Sequence, residues 1–442
     1  MYIGTRRRVC RPARFFADVF PHVFPVFMNG HDSNATNNNK TPDAGAGASA
    51  YGAAIDVGTS SIWSRLVRLA DGSALGTRVL ANPQQEYGAD IASRVGLAAE
   101  QPAIRTRLHR QLIDAINDSL DQLSRAAGID VADICNIAAV GNSAMFAFLL
   151  DLDPAPLCGS PYNLKGARDY FGPAGKLGIA APKASLLVPR PIFGFVGSDA
   201  LADILMVGMA HSDETELAVD VGTNCEIALG SRGKILVAST PAGPAYEDAH
   251  MSFGLSATAG AVCQARLDGE KFVYEVVGGG EAKGICGSGL IDIIAEMRRH
   301  GWVDNSGRLL KEGPVVIAGG EDPVTVGQRD IRSFQLVKAS VHAAISVLQK
   351  KLGAKELGRM LITGTFGSYI NLDNARLLKM FPDLPDDRIE VAADAACQGA
   401  VLMLTQKRRA GLDLEEVRAK IHHIPLPLNK VFQDEFIRLM EI

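Results

Sequence analysis

Nowhere in this 442-residue chain do two cysteines stand as Cys-x-x-Cys, and the seven that occur, at positions 10, 135, 158, 225, 263, 286 and 397, are scattered. That argues against a disulfide framework, a zinc site and a cysteine-ligated iron–sulfur cluster carried on this chain. Long apolar runs are also missing, since nothing approaches the ~18 apolar residues that a membrane span needs. Nor is charge of one sign in excess. A formal net charge of −4 gives no whole-chain attraction to nucleic acid or to an anionic membrane. What remains, 47% hydrophobic and 21% charged residues, is ordinary for a globular protein with large cores, and the length suggests two to three domains. A reducing cytoplasm is the expected compartment.

Residues 1–50 read as a leader outside the fold. Arg6-Arg7-Arg8 precedes a Phe-rich stretch, as in a signal peptide, but Asp18, Pro21 and Pro25 interrupt its apolar centre. The Asn-rich and Ala/Gly-rich segment that follows has the composition of a disordered tail, and Met28 is an alternative start. This segment is expected to be dispensable.

The rest of the chain is organised around a stretch that occurs twice. Residues 53–59 read Ala-Ala-Ile-Asp-Val-Gly-Thr and residues 217–223 read Leu-Ala-Val-Asp-Val-Gly-Thr. Each is an apolar, β-branched run that delivers an Asp and then turns at a Gly, the pattern of a buried strand ending in a tight turn. Backbone N–H groups freed at such a turn cradle phosphate oxygens, while the Asp holds Mg²⁺, usually through its waters. A single copy is more often an ordinary turn in which the Asp bonds its own backbone. Two copies predict similar lobes facing each other across a cleft. Asp56 and Asp220 are then the candidate catalytic and metal-holding residues. Gly58, Thr59, Ser60, Gly222, Thr223 and Asn224 are the candidate phosphate-binding ones.

Punctuation gives the order of elements. In the first lobe, strands precede and follow a hairpin turn at Asp71-Gly72, and residues 79–88 read as a third strand and loop. A helical period over 108–127 ends at Gly128, and a short strand at 137–140 leads into a helix opened by Gly141-Asn142-Ser143. Residues 151–195 are a Pro- and Gly-rich excursion. The predicted domains are an N-terminal lobe over 51–200 that contains this excursion and a C-terminal lobe over 201–442. The second lobe repeats the plan, with strands at 217–229, 235–240 and 274–277, a long helix from Gln328 to about Leu352 and a strand at 359–363. A final helix begins near Ala395.

Other glycine loops add candidates. Gly364-Thr365-Phe366-Gly367 follows a strand, where only Gly lets backbone approach a flat ligand such as adenine closely, although a plain turn has the same composition. Gly287, Ser288 and Gly289 open a helix, either as an anion site or as tight helix–sheet packing. Cys286 beside them lacks a neighbouring base and reads as a small hydrophobe. Asp199 is a helix-start residue that also suits a cleft carboxylate, Glu247 is similarly ambiguous, and His422-His423 lacks a partner cluster.

The two Asp-Val-Gly-Thr turns with a late Gly-rich loop resemble the acetate and sugar kinase, heat-shock and actin superfamily of ATPases. Asn82-Pro83-Gln84, Gly88-Ala89-Asp90-Ile91, Gly141-Asn142 and residues 195–199 narrow the resemblance to the reductive activators of corrinoid proteins. Residues 220–227, 242–247 and 284–292 narrow it in the same direction. The resemblance implies an α/β fold of duplicated actin-like, ribonuclease-H-like lobes. It implies ATP and Mg²⁺ as cofactors, and an ATPase that returns a cob(II)alamin protein to the methyl-accepting cob(I) state. Full-length members carry an N-terminal iron–sulfur domain. The single cysteine among the first 50 residues leaves no place for such a cluster here, so an external low-potential, ferredoxin-like donor is expected. The expected partner is a corrinoid protein, with neither nucleic acid nor membrane, and a homodimer stays open. Gly364-Thr365 departs from the superfamily's usual adjacent glycines. A small-molecule kinase and a non-catalytic actin-like module are the rival readings.

Overall fold

The computed structural model describes residues 50–442 apart from positions 89, 223, 242–250, 256, 365–369, 407–412 and 427–428. The first lobe is built on β1 (Tyr51–Val57), β2 (Ser61–Arg68), β3 (Ala74–Ala81), β4 (Ile134–Gly141), β5 (Tyr170–Pro173) and β6 (Ser185–Val188). They form one sheet in the order β3-β2-β1-β4-β6-β5. Strands β1 to β3 are an antiparallel meander, β4 runs parallel to β1, and β6 parallel to β4. Helices α1 (Ile91–Glu100), α2 (Pro102–Ala127) and α3 (Ser143–Leu149) share a core with Ala53, Ile55 and Val57 of β1.

Helix α4 (Ser198–Val207) leads into the second lobe, where β7 (Glu216–Val221), β8 (Asn224–Ser231) and β9 (Lys234–Pro241) repeat the meander. An insertion follows, made of β10 (Ala261–Asp268), β11 (Lys271–Val276), β12 (Gly284–Ile285), α5 (Gly287–Arg299), β13 (Val315–Ala318) and β14 (Val324–Val326), and the long α6 (Gln328–Leu352) then packs on β8 and β9 as α2 packs on β2 and β3. Strand β15 (Arg359–Thr363) then pairs parallel to β7. After α7 (Leu372–Leu377), β16 (Ile389–Ala392) pairs parallel to β15. Helix α8 (Ala395–Gln406), α9 (Leu414–Ala419), β17 (Ile421–His423) and α10 (Lys430–Arg438) complete the chain. The second sheet runs β16-β15-β7-β8-β9-β17, so the core of the first sheet recurs with the same directions. Only the outermost additions differ: β5 antiparallel beside β6 in one lobe, and β17 parallel to β9 at the other edge in the second.

Helices α4 and α8 follow equivalent strands and pack on each other between the sheets. Leu201 and Ile204 of α4 and Ala396, Cys397 and Ala400 of α8 share one core with Ala54, Ala138 and Val140 of the first sheet and Ala218 and Leu361 of the second. Each fully buried Leu or Ile there contributes about 1.5–3 kcal/mol. The helices cross so closely that a Cβ on Gly399 would overlap the backbone of Ala202.

Some elements depart from the expected bounds. Helix α2 starts at Pro102, before the apolar period begins at Leu108, because proline suits the first helical turn and that turn is largely exposed. Strand β3 occupies residues 74–81 instead of starting at Val79. As an edge strand with few buried side chains it shows no alternation to read. The helix at Ala395 is not the final one, since α9, β17 and α10 follow it, and α1, β10, β13 and β14 are further elements beyond those expected.

Candidate active site

In a strand, alternate side chains face opposite ways. Ala53, Ile55 and Val57 fill the first lobe's own core while Ala54 belongs to the core between the lobes, so Asp56 falls on the interlobe face. The same parity in β7, with Leu217, Val219 and Val221 inward and Ala218 between the lobes, puts Asp220 on the facing side. Asp199 lies in the first turn of α4 with Gly197 as the cap, and Asp203 stands one turn further along the same helix face. Glu226 on β8 is the direct cross-strand neighbour of Asp220.

These carboxyls perturb one another. Burial, with the charge of Asp199, pushes Asp220 up to about 7, and burial pushes Asp199 up to about 6. Asp56 is held well above the usual carboxylate range by burial and then by Asp199, Asp220 and Asp394. Burial acts first on Asp203 and Glu226 too, followed by the charges of their acidic neighbours. The Oδ1 atom of buried Asp203 has no hydrogen-bond partner among the described residues. A guanidinium does reach the edge of this cluster, but Arg65 of β2 is committed to an ion pair with Asp394, just before α8, across the lobe boundary. Among the described residues no group of His, Cys, Asp or Glu converges tightly enough to hold a metal ion by itself.

The turn after Asp56 is tied back by side chains of its own lobe. Asn82 Nδ2 donates to Gly58 O (2.8 Å), Arg94 Nη1 to Thr59 O (2.8 Å) and Gln85 Nε2 to Ser60 O (2.9 Å). Arg94 is fully buried, also donates through Nε to Gly88 O, and is lowered to about 10 by that burial. Asp90 caps α1, which carries Arg94, by accepting from Ser93 N. Asn142 caps α3 and donates from Nδ2 to Thr59 Oγ1 at 3.1 Å.

The turn after Asp220 is closed by Gly222 N donating to Asn224 O at 2.9 Å. Gly364, at φ +89°, lies so near Asp220 that a Cβ would overlap its Oδ1. Gly287, Ser288 and Gly289 are buried at the start of α5. Ser288 Oγ donates to Cys263 O (2.9 Å), and Gly289 sits where any Cβ would overlap Val262 O, which is close helix-on-strand packing. Cys286 is buried with its thiol pushed up and donating to Val262 O, as suits an unreactive cysteine. His423 stacks on Phe193 with ring centroids 4.7 Å apart, whereas His422 is exposed. Thr223, Glu247, Thr365 and Gly367 lie outside the described residues.

The structure thus groups Asp56, Asp199 and Asp220, and adds Asp203, Glu226, Asp394 and the clamp of Asn82, Gln85, Arg94 and Asn142. Asp203 was available from helical spacing to Asp199. Glu226 was available from the hairpin that pairs it with Asp220. Asn82 and Asn142 stand in motifs that the sequence singles out, whereas Gln85, Arg94 and Asp394 carry no local signal.

Residues 214–442 match the family described as the C-terminal domain of RACo, the ASKHA domain, and residues 51–212 match the RACo middle region. The corrinoid activation enzyme RamQ of Eubacterium limosum is 30% identical over 390 residues, 82% of this chain and 65% of RamQ. This chain therefore spans less than two thirds of that relative. The [Co(II) methylated amine-specific corrinoid protein] reductase of Methanosarcina barkeri is 24% identical, covering 88% of this chain and 76% of that protein. A solved reductive activator for a corrinoid, iron–sulfur protein superposes with a TM-score of 0.77 at 29% identity, over 90% of this chain and 67% of the other. Among the described residues no helix is long and apolar enough to cross a membrane.

Proposed function

The chain belongs to the RACo family, and on that premise we propose that it is an ATPase promoting reduction of an inactive cob(II)alamin on a corrinoid protein to the cob(I) state. The electron comes from an external low-potential, ferredoxin-like donor. The observation that carries this reading is the carboxylate cluster around Asp56 and Asp220, on the strand faces that the two lobes turn toward each other. A divalent cation is the counter-charge such a cluster lacks, since the nearby guanidinium of Arg65 is already paired.

Without a cage of converging ligands, Asp56 and Asp220 would hold Mg²⁺ through its waters, as this hard, reluctantly dehydrated ion prefers. When bound, the ion neutralises phosphate charge. The chain's own part is to orient. Thr59 and Ser60 on one side, and Asn224 on the other, would offer N–H groups to phosphate oxygens, while Gly58 and Gly222 shape the turns with their own N–H groups bonded to Ser61 O and Asn224 O. Gly364 lets its backbone pack against Asp220 and Val221, where a Cβ would overlap both. Asp199 is the carboxylate placed to position water.

Nucleotide in the cleft favours the closed arrangement of the lobes about the α4–α8 crossing. A partner bound more tightly by that arrangement than by the open one is shifted in turn. Moving a partner from 1:99 to 99:1 takes about 10⁴-fold discrimination. A one-electron step costs a factor of ten in equilibrium per about 59 mV uphill, so a weak donor stalls unless the corrinoid protein is held in a more reducible state.

The test is to titrate cob(II) reduction against donor potential with and without this protein and ATP. The proposal expects reduction at a higher donor potential only when both are present. Superimposable curves would overturn it and favour a small-molecule kinase of the same superfamily.

A further inference from the structure

We infer that Asn142 is a positioning residue that makes the Thr59 hydroxyl a hydrogen-bond donor toward nucleotide phosphate, an inference resting on the nucleotide reading of the first turn. A primary amide accepts through its oxygen and donates through its nitrogen. Asn142 Oδ1 is already engaged as the cap of α3, accepting from Ala144 N and Met145 N at 3.1 Å each. The amide therefore has one orientation, with Nδ2 toward Thr59 Oγ1.

A hydroxyl carries one proton. Because Thr59 Oγ1 receives its hydrogen bond from Asn142, its own proton is left to be given elsewhere. No acceptor for it exists among the described residues, although Thr59 is nearly buried. The backbone that carries the threonine is held as well, since Arg94 donates to its carbonyl. Asn142 is fixed as well. Ser198 Oγ bonds both the N–H and the carbonyl of Gly141, and Gly197 packs so closely on Gly141 and Asn142 that a Cβ would overlap them. An acceptor-only group such as a phosphate oxygen is the complement of a donor locked in this way.

The experiment measures binding of ATP with Mg²⁺ by calorimetry, and thermal unfolding, for the full chain and for Asn142→Asp, Thr59→Val and the double variant. Aspartate caps a helix as well as asparagine, so the melting temperature of Asn142→Asp is expected to hold. Its carboxylate only accepts, so it draws the Thr59 proton to itself. Asn142→Asp and Thr59→Val are each expected to weaken ATP binding roughly ten- to a hundredfold, the range for a hydrogen bond to a charged group. The double variant should be no weaker than Thr59→Val.

Additive losses would assign the Asn142→Asp effect to repulsion between its carboxylate and the phosphates, overturning the inference. Wild-type affinity in Asn142→Asp would overturn it too, while leaving the nucleotide reading intact. Wild-type affinity in Thr59→Val would remove Thr59 from the phosphates and sink both. If Asn142→Asp unfolds early, Asn142→Ser keeps a neutral cap that cannot reach Thr59. It is expected to bind ATP severalfold more weakly at an unchanged melting temperature, and unchanged affinity in it counts against the inference.

Discussion

Around the turn that follows Asp56, donors from the same lobe close on successive carbonyls, Asn82 on Gly58, Arg94 on Thr59 and Gln85 on Ser60. Each turn is also closed by its own glycine, Gly58 N donating to Ser61 O and Gly222 N to Asn224 O, both at 2.9 Å. The two turns share Asp-Val-Gly-Thr, but the first has one more residue between its paired strands. Val57 faces Ile62, whereas Val221 faces Cys225. Opposite Asp56 the neighbouring strand presents Trp63, and opposite Asp220 it presents Glu226. In a planar trans peptide the carbonyl and the next N–H point opposite ways. Tying back the carbonyls of Gly58 and Thr59 therefore turns the N–H groups of Thr59 and Ser60 away from the clamp. A repeated motif thus supplies the same strand and turn twice, while its surroundings clamp the first turn with Asn82, Gln85 and Arg94 and set Glu226 and Gly364 beside the aspartate of the second. The strand register extends the comparison. Val140 pairs with Asp56 and Thr363 with Asp220, so Gly141 corresponds to Gly364.

The sharpest way to break this comparison is to neutralise each aspartate. Asp220→Asn and Asp56→Asn are each expected to lower Mg²⁺-dependent ATP hydrolysis by about a hundredfold, the scale of losing one preorganised electrostatic group. Turnover assays decide it, and loss in only one variant would show that the turns are not functional equivalents. Arg94→Met tests the clamp itself. Removing a buried charged donor from Thr59 and Gly88 should cost about 2–4 kcal/mol, read as a lower midpoint in urea. Arg94→Lys should not restore it, because an ammonium lacks the guanidinium fork.

A smaller effect belongs to the second turn. Burial holds Asp199 up to about 6 and Asp220 up to about 7. In the folded protein these carboxyls keep protons that the unfolded chain releases near pH 4. Their contribution to stability is complete below that pH and is lost as pH rises through the folded values. The melting temperature of ligand-free protein should therefore fall across roughly pH 4 to 7, with a shallower slope in Asp220→Asn. An equal slope in that variant would place the proton uptake elsewhere.

The smallest effect concerns the parts that break the symmetry. Arg190, from the excursion that carries β5, pairs with Glu415 of α9, next to β17, through two 2.8 Å hydrogen bonds, and Arg418 Nη2 donates to Arg190 O. Their side chains are 33% and 59% exposed, so Arg190→Glu should cost under about 1 kcal/mol, recovered when Glu415→Arg is added. Thermal unfolding of the single and double variants measures it.

The sequence by itself determined the repeated strand-and-turn, the buried strand at 359–363 and the helices that end on glycine. Each is a pattern of neighbours: alternation along a strand, a period of 3.6 along a helix, or a residue tolerant of positive φ. Asp56, Asp199 and Asp220 were legible for that reason. The tertiary structure alone decided what surrounds them. Arg65 and Asp394 meet from 329 residues apart, and Asn142 reaches Thr59 from 83. It also decided that Gly289 packs α5 closely on β10, where a Cβ would overlap Val262 O. Such pairings depend on how two sheets stack about the α4–α8 crossing, and side-chain periodicity within a few residues carries no record of that.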